Sequence, residues 1–156
     1  MKKFFIAIAV AFISFTAATA QPYNAAIGLE GGWPGNLGLT YKQFTGASNF
    51  FDYKANLYLR DDYLSVHISD TFDWNVPIVG GLQFFYGLGA GVGATFASSA
   101  YLNAEVFGNL GLEYAFSRIP FAISVDYNPG LYMHFHDGFT ARFGYTDANV
   151  GIKFTF

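Results

Sequence analysis

The sequence predicts an all-β fold, eight antiparallel strands closing into an up-and-down barrel, on three observations. Apolar and polar residues alternate with period two along almost the whole chain after residue 21. Turn signals divide that alternation into eight runs. Aromatic residues make up 21% of the chain, with 18 glycines and only 12% charged residues. Ordinary soluble domains carry about 25% charged residues and about 7% glycine, so this composition excludes that class, and a long disordered region with it. A formal net charge of -3 leaves no basic footprint for nucleic acid. With no cysteine there are no disulfides, thiolate metal sites or N-terminal lipid attachment.

The first 20 residues read as a secretory signal peptide. Lys2 and Lys3 precede an apolar run from Phe4 to Phe15, and Ala18-Thr19-Ala20 supplies a small-residue cleavage site before Gln21. The run is short of the roughly 20 residues a membrane-spanning helix needs. Removing two lysines leaves 6 basic against 11 acidic residues, a formal charge of -5 for the single domain at 21–156.

The strands are expected near 23–31, 37–44, 50–60, 63–74, 82–96, 103–116, 121–131 and 147–156. In the third, Phe51, Tyr53, Ala55, Leu57 and Leu59 alternate with Asp52, Lys54, Asn56, Tyr58 and Arg60. The sixth sets Val106, Leu110, Leu112, Tyr114 and Phe116 against Glu105, Asn109, Gly111 and Glu113. The seventh sets Phe121, Ile123, Val125 and Tyr127 against Ala122, Ser124 and Asp126, and the last sets Val150, Ile152, Phe154 and Phe156 against Asn149, Gly151, Lys153 and Thr155. Gly32-Trp-Pro-Gly-Asn, Thr45-Gly-Ala-Ser, Asp61-Asp62, Val76-Pro-Ile-Val-Gly-Gly, Ala97-Ser-Ser-Ala and Ser117-Arg-Ile-Pro read as connections, with a longer one near 132–146.

The apolar face is expected to point outward into lipid. A soluble carrier would turn it inward, but an eight-stranded interior is barely wide enough for ordinary side chains, and this face is mostly large. The small residues lie on the other face, where Gly87, Gly89, Gly91 and Gly93 alternate with Leu88, Ala90 and Val92. Aromatics also cluster beside alternate turns, at Tyr41, Phe51 and Tyr53, at Phe72, Trp74 and Phe84, and at Tyr114, Phe116 and Phe121, tracing one interfacial girdle. Asp70 falls on the lipid-facing parity between Ile68 and Phe72, against the scheme, unless a bulge turns it away.

The chain resembles the small eight-stranded outer-membrane barrels of the OmpA/OmpX type, especially the short forms common in the Bacteroidota. The resemblance rests on Ala26-Ile-Gly-Leu-Glu-Gly-Gly, Leu39-Thr-Tyr-Lys, the Leu82-Gln-Phe-Phe-Tyr-Gly-Leu-Gly-Ala-Gly run, Gly111-Leu-Glu-Tyr-Ala-Phe with Ile119-Pro-Phe, and Phe156. It implies an outer-membrane location among lipid and lipopolysaccharide. It implies too that Phe156 belongs to the signal that barrel-assembly machinery reads. A larger outer-membrane protein is compatible as partner, because lipid-facing aromatics also pack on another barrel.

The polar face carries Glu30, Lys42, Asp52, Lys54, Arg60, His67, Asp73, Glu105, Glu113, Asp126 and Lys153. It reads as a lumen of paired charges, with an ion or proton path as the alternative. His134-Phe-His136-Asp137 lies in the expected long connection, where loop histidines are ordinarily solvated, although two histidines at i, i+2 share a face. Barrels of this structural class include lipid A-modifying enzymes, for which Ser98, Ser99 and His134 would be the residues to assemble, but no motif of those enzymes is matched. Gly28 and Gly87 precede no helix pattern and form no phosphate loop. Asp61-Asp62 reads as a solvated turn. The expected role is structural or interactive, with no catalytic, cofactor or metal residue assigned; a lipid A-modifying enzyme or a narrow channel is the alternative.

Overall fold

The computed structural model describes residues 23–60, 62–135 and 138–156, apart from the side chains of 144–146. The expected signal peptide at 1–20, Gln21, Asp61, His136 and Asp137 lie outside the described residues. Eight strands follow one another: β1 (Ala25–Trp33), β2 (Asn36–Phe44), β3 (Asn49–Arg60), β4 (Tyr63–Val79), β5 (Leu82–Phe96), β6 (Ala100–Ala115), β7 (Phe121–Phe135) and β8 (Phe139–Thr155). Each pairs antiparallel with its neighbours, and β1 pairs with β8, so the sheet closes. No helix occurs among the described residues.

Following paired residues round the wall, Ala26–Lys42–Asp52–Thr71–Gly89–Phe107–Gly130–Tyr145, returns to β8 ten residues before Thr155, the partner of Ala26. With strands about 4.8 Å apart and a rise of about 3.3 Å per residue, that stagger tilts the strands by about 40° and sets a backbone radius of about 8 Å. Such a lumen takes side chains but no chain segment.

Two expectations about the strands need correction. The segment at 132–146 is not a long loop, because β7 runs on to Phe135 and β8 begins at Phe139. The register shifts between Gly130 and Leu131, and that bulge reverses the parity of β8. Phe139 and Phe143 are exposed above it, Val150, Ile152 and Phe154 below. A one-residue insertion flips every later side chain to the other face, so the alternation is broken in sequence while the pairing continues. The fourth strand likewise extends past 74 to Val79, with a bulge between Pro77 and Val79 that admits a proline into the ladder. Glycines close the tight ends, with Gly35 at φ 109° and Gly80 at φ 57°, a region other residues rarely enter.

The faces are as the alternation requires. Asp52, Lys54, Asn56 and Tyr58 are buried inside, while Tyr53, Leu57 and Leu59 are exposed outside. The glycines of β5 face inward, where they make room: a Cβ on Gly89 would lie 2.7 Å from the Phe107 ring, and one on Gly93 2.7 Å from the His67 ring. One end of the lumen is plugged by Tyr23, Phe44, Phe50 and Phe85, packed edge-on or tilted at 5.3–5.7 Å between ring centroids. The backbone of Phe156 fixes the closing seam there, donating to the Ala25 carbonyl at 2.8 Å and accepting from the Asn24 and Ala25 amides.

Candidate functional site

The inward residues of eight strands meet in two clusters, one in the middle of the lumen and one at its mouth. In the middle, stagger brings residues far apart in sequence to one height. Lys42 on β2 reaches across to Glu113 on β6 at 3.0 Å. Lys153 on β8 meets Asp52 on β3 at 3.1 Å and Glu113 at 3.8 Å. Lys54 on β3 lies 3.0 Å from Glu30 on β1 and 3.4 Å from Asp126 on β7. The Lys42 ammonium also sits 3.7 Å from the centroid of the Phe50 ring and 5.0 Å from that of Phe44. Hydroxyls complete the carboxylates: Tyr23 donates to Glu113 and Thr40 to Asp52. Tyr23 precedes β1, and burial, reinforced by the Glu113 carboxylate, holds its phenol well above the usual range, so it stays a neutral donor.

Among the described residues seven buried acids stand against three buried lysines, so some carboxylates need other partners. Asp73 accepts from Thr71 and, at 2.9 and 3.0 Å, from the Asn109 amide. Asp147 accepts the Tyr58 hydroxyl at 2.6 Å. Removing either ion of a buried pair strands its partner in low dielectric, which costs more than the pair itself contributes. The gap between the clusters, lined by Tyr58, Glu105, Tyr132 and Asp147 among others, has a volume of about 20 Å³, room for about one water. Among the described residues, ion pairs, amides and rings occupy this part of the interior.

At the mouth a hydrogen-bonded chain crosses four strands. His134 Nδ1 pairs with Asn103 Oδ1 at 2.7 Å, and the Asn103 amide donates to Thr95 Oγ1 at 2.8 Å. Thr95 and Ser65 share a bond of 2.8 Å, and Ser65 Oγ lies 2.9 Å from His67 Nε2. These residues, with Tyr63, Tyr101 and Arg142, line a cavity of about 160 Å³. Ser65 and His67 stand at the separation of a nucleophile and its base. The base is not oriented, however, because His67 Nδ1 has no hydrogen-bond partner and stands 3.8 Å from Glu105. Ser65 is 3% exposed, leaving its hydroxyl little access to a substrate. These bonds tie β4, β5, β6 and β7 together at the mouth.

Of the residues singled out in the sequence, Glu30, Lys42, Asp52, Lys54, His67, Asp73, Glu105, Glu113, Asp126 and Lys153 are all brought together in the lumen, and Arg60 is exposed at the rim, donating to the Pro34 carbonyl at 3.0 Å. His134 lies at the end of β7 and turns in to Asn103, while Ser98 and Ser99 stand exposed in the β5–β6 turn. Asp62 is exposed. Sequence reasoning missed Ser65, Thr95 and Asn103. Ser65 with His67 on one strand face was the available signal. No protein-family model, curated protein or solved structure matches the chain.

Proposed function

We propose that this chain is an integral outer-membrane barrel of the OmpA/OmpX type, delivered by its signal peptide, with a structural or interaction role. The single observation that carries this reading is the outer wall. Leu29, Leu39, Leu57, Ile68, Leu88, Val106, Leu110, Val125 and Ile152 are each between 42% and 67% exposed, on every strand. In water so continuous an apolar surface drives aggregation; in a bilayer it is the surface required, and closure leaves the sheet no open edge. The outward row from Leu64 to Trp74 spans ten residues, about 25 Å along the barrel axis at a tilt of about 40°, the height of a transmembrane apolar band. Tyr53, Phe72, Trp74, Phe84, Tyr86, Tyr114, Phe121 and Phe154 gather toward one end, as an interfacial girdle does.

The filled lumen supports a role exercised through the outer wall and the rims rather than through transport. Expression of the full chain in a Gram-negative host tests the location. The protein is expected in the outer-membrane fraction, migrating on gels differently before and after boiling. Recovery as a soluble periplasmic protein, or a single boiling-independent band, would overturn the reading.

A further inference from the structure

The outward row of β4 runs Leu64, Val66, Ile68, Asp70, Phe72, Trp74, and Asp70 stands at its centre, paired with Tyr53 on β3 and Ala90 on β5. The ladder around it is regular from Leu64 to Pro77, so no bulge turns the carboxyl inward. Instead the wall dips. Ala55 and Ala90 are the small residues of an outer groove of about 630 Å³, which Leu39, Tyr53, Ile68 and Val92 also line. Within it one carboxylate oxygen, Oδ1, is covered and accepts no hydrogen bond. Among the described residues, Asp70 is the one charged side chain in the outward rows of the strands.

If the wall faces lipid, as proposed above, this placement is costly. Acyl chains offer no donor, and the interfacial end of the row at Trp74 lies four residues, about 10 Å along the axis, from Asp70, beyond the reach of so short a carboxylate side chain. A second copy supplies no counter-charge either. The described outward rows hold no lysine or arginine, and a twofold contact through the groove would set Asp70 against Asp70. A basic side chain carried by another membrane protein satisfies the charge, and the concavity gives it space. We propose that the Asp70 groove is the lateral docking surface for a second integral membrane protein of different sequence, which seats a lysine or arginine there as counter-charge. This rests on the membrane reading and deepens it by naming the face and the chemistry of the partner.

The test places a photo-crosslinking residue at Ala90, in the groove, or at Val125, on the wall across the barrel, in the full chain in its native cells. Boiling-dependent migration is checked first for every variant. Its absence overturns the membrane reading, and its presence isolates the groove. The expected result is a single protein adduct from position 90, at least tenfold stronger than from 125, and reduced at least tenfold by Asp70→Asn. Asp70→Lys should abolish it, and reversal of the contacting lysine or arginine to aspartate in the adducted protein should restore it. Adducts of lipid only, of a second copy of this chain, or of a protein whose capture ignores Asp70→Asn would overturn the proposal.

Discussion

Glu113→Gln isolates the energetics of the lumen. The substitution keeps shape and an acceptor for the Tyr23 hydroxyl but removes the charge that faces Lys42 at 3.0 Å and Lys153 at 3.8 Å. Lys153 retains Asp52. Lys42 does not retain a bonded carboxylate, and it is fully buried. Leaving one member of a buried pair uncompensated costs about 3–5 kcal/mol, and the contacts with the rings of Phe50 and Phe44, present before and after the substitution, hold the cost to the lower end by keeping the cation in place. The net expectation is a loss of about 3 kcal/mol, or about 1.5 M in urea midpoint at a slope of about 2 kcal/mol per M. Lys42→Met alone leaves Glu113 with Lys153 and Tyr23, and should cost less. The double substitution should cost clearly less than the sum, with a coupling of about 2 kcal/mol. Urea titration of the barrel in lipid vesicles measures this through Trp33 and Trp74, which both lie on the outer wall. If Glu113→Gln shifts the midpoint by less than about 0.3 M on that slope, or the two substitutions are additive, the lumen is not held by this pair.

Gly89→Leu drives a side chain into Phe107 and Thr71; overpacking of this kind costs about 1–3 kcal/mol, and the boiling-dependent fraction should fall, while Gly46→Ala, with nothing within 4 Å, leaves it unchanged. Purified protein in planar bilayers should show no stable large conductance, because Phe85, Phe107 and the ion pairs fill the interior; reproducible porin-sized openings would refute the filled lumen. Asn103→Leu breaks the bonds to His134 and Thr95 together, so amide exchange should quicken in the upper β6–β7 hairpin and stay unchanged around Phe50; uniform quickening would show that the mouth is not an independent network.

The faces of the barrel were legible because a strand's period is two and each face meets one environment. Asp52, Lys54 and Asn56 could be placed inside from their spacing alone. The partners of those residues could not. Lys42 and Glu113 are 71 residues apart, and whether they share a height depends on the stagger, a property of closure that no single strand carries. The bulge at Gly130 was invisible for the opposite reason: it is local, but it mimics the loss of a strand by reversing parity at 139–143. Asp70 was legible as an exception, and its parity was read correctly; what it stands in, a groove made by Ala55 and Ala90 on neighbouring strands, required the pairing. His134 was placed in a loop because the parity break hid the upper half of the last hairpin.

Phe156→Ala separates stability from assembly. The Phe156 backbone makes the bonds that seal β8 to β1, and alanine keeps all of them. The ring is 57% exposed and its ring contact is with Phe154, at 6.3 Å. An aromatic pair of this kind is worth about 0.5–1.5 kcal/mol, so barrels refolded in vesicles should lose no more than about 1 kcal/mol. On the proposed reading as an outer-membrane barrel, the outward row Val150, Ile152, Phe154 and Phe156 serves as a signal for barrel-assembly machinery, recognised before folding while the ring is presented on an unpaired strand. The amount of folded protein in the outer membrane should therefore fall several-fold while the stability of what does fold barely moves. Quantifying the boiling-dependent band per cell beside the urea midpoint in vesicles gives both numbers from one variant. An unchanged membrane yield with a collapsed midpoint would make Phe156 a packing element of the seam and refute its role in assembly.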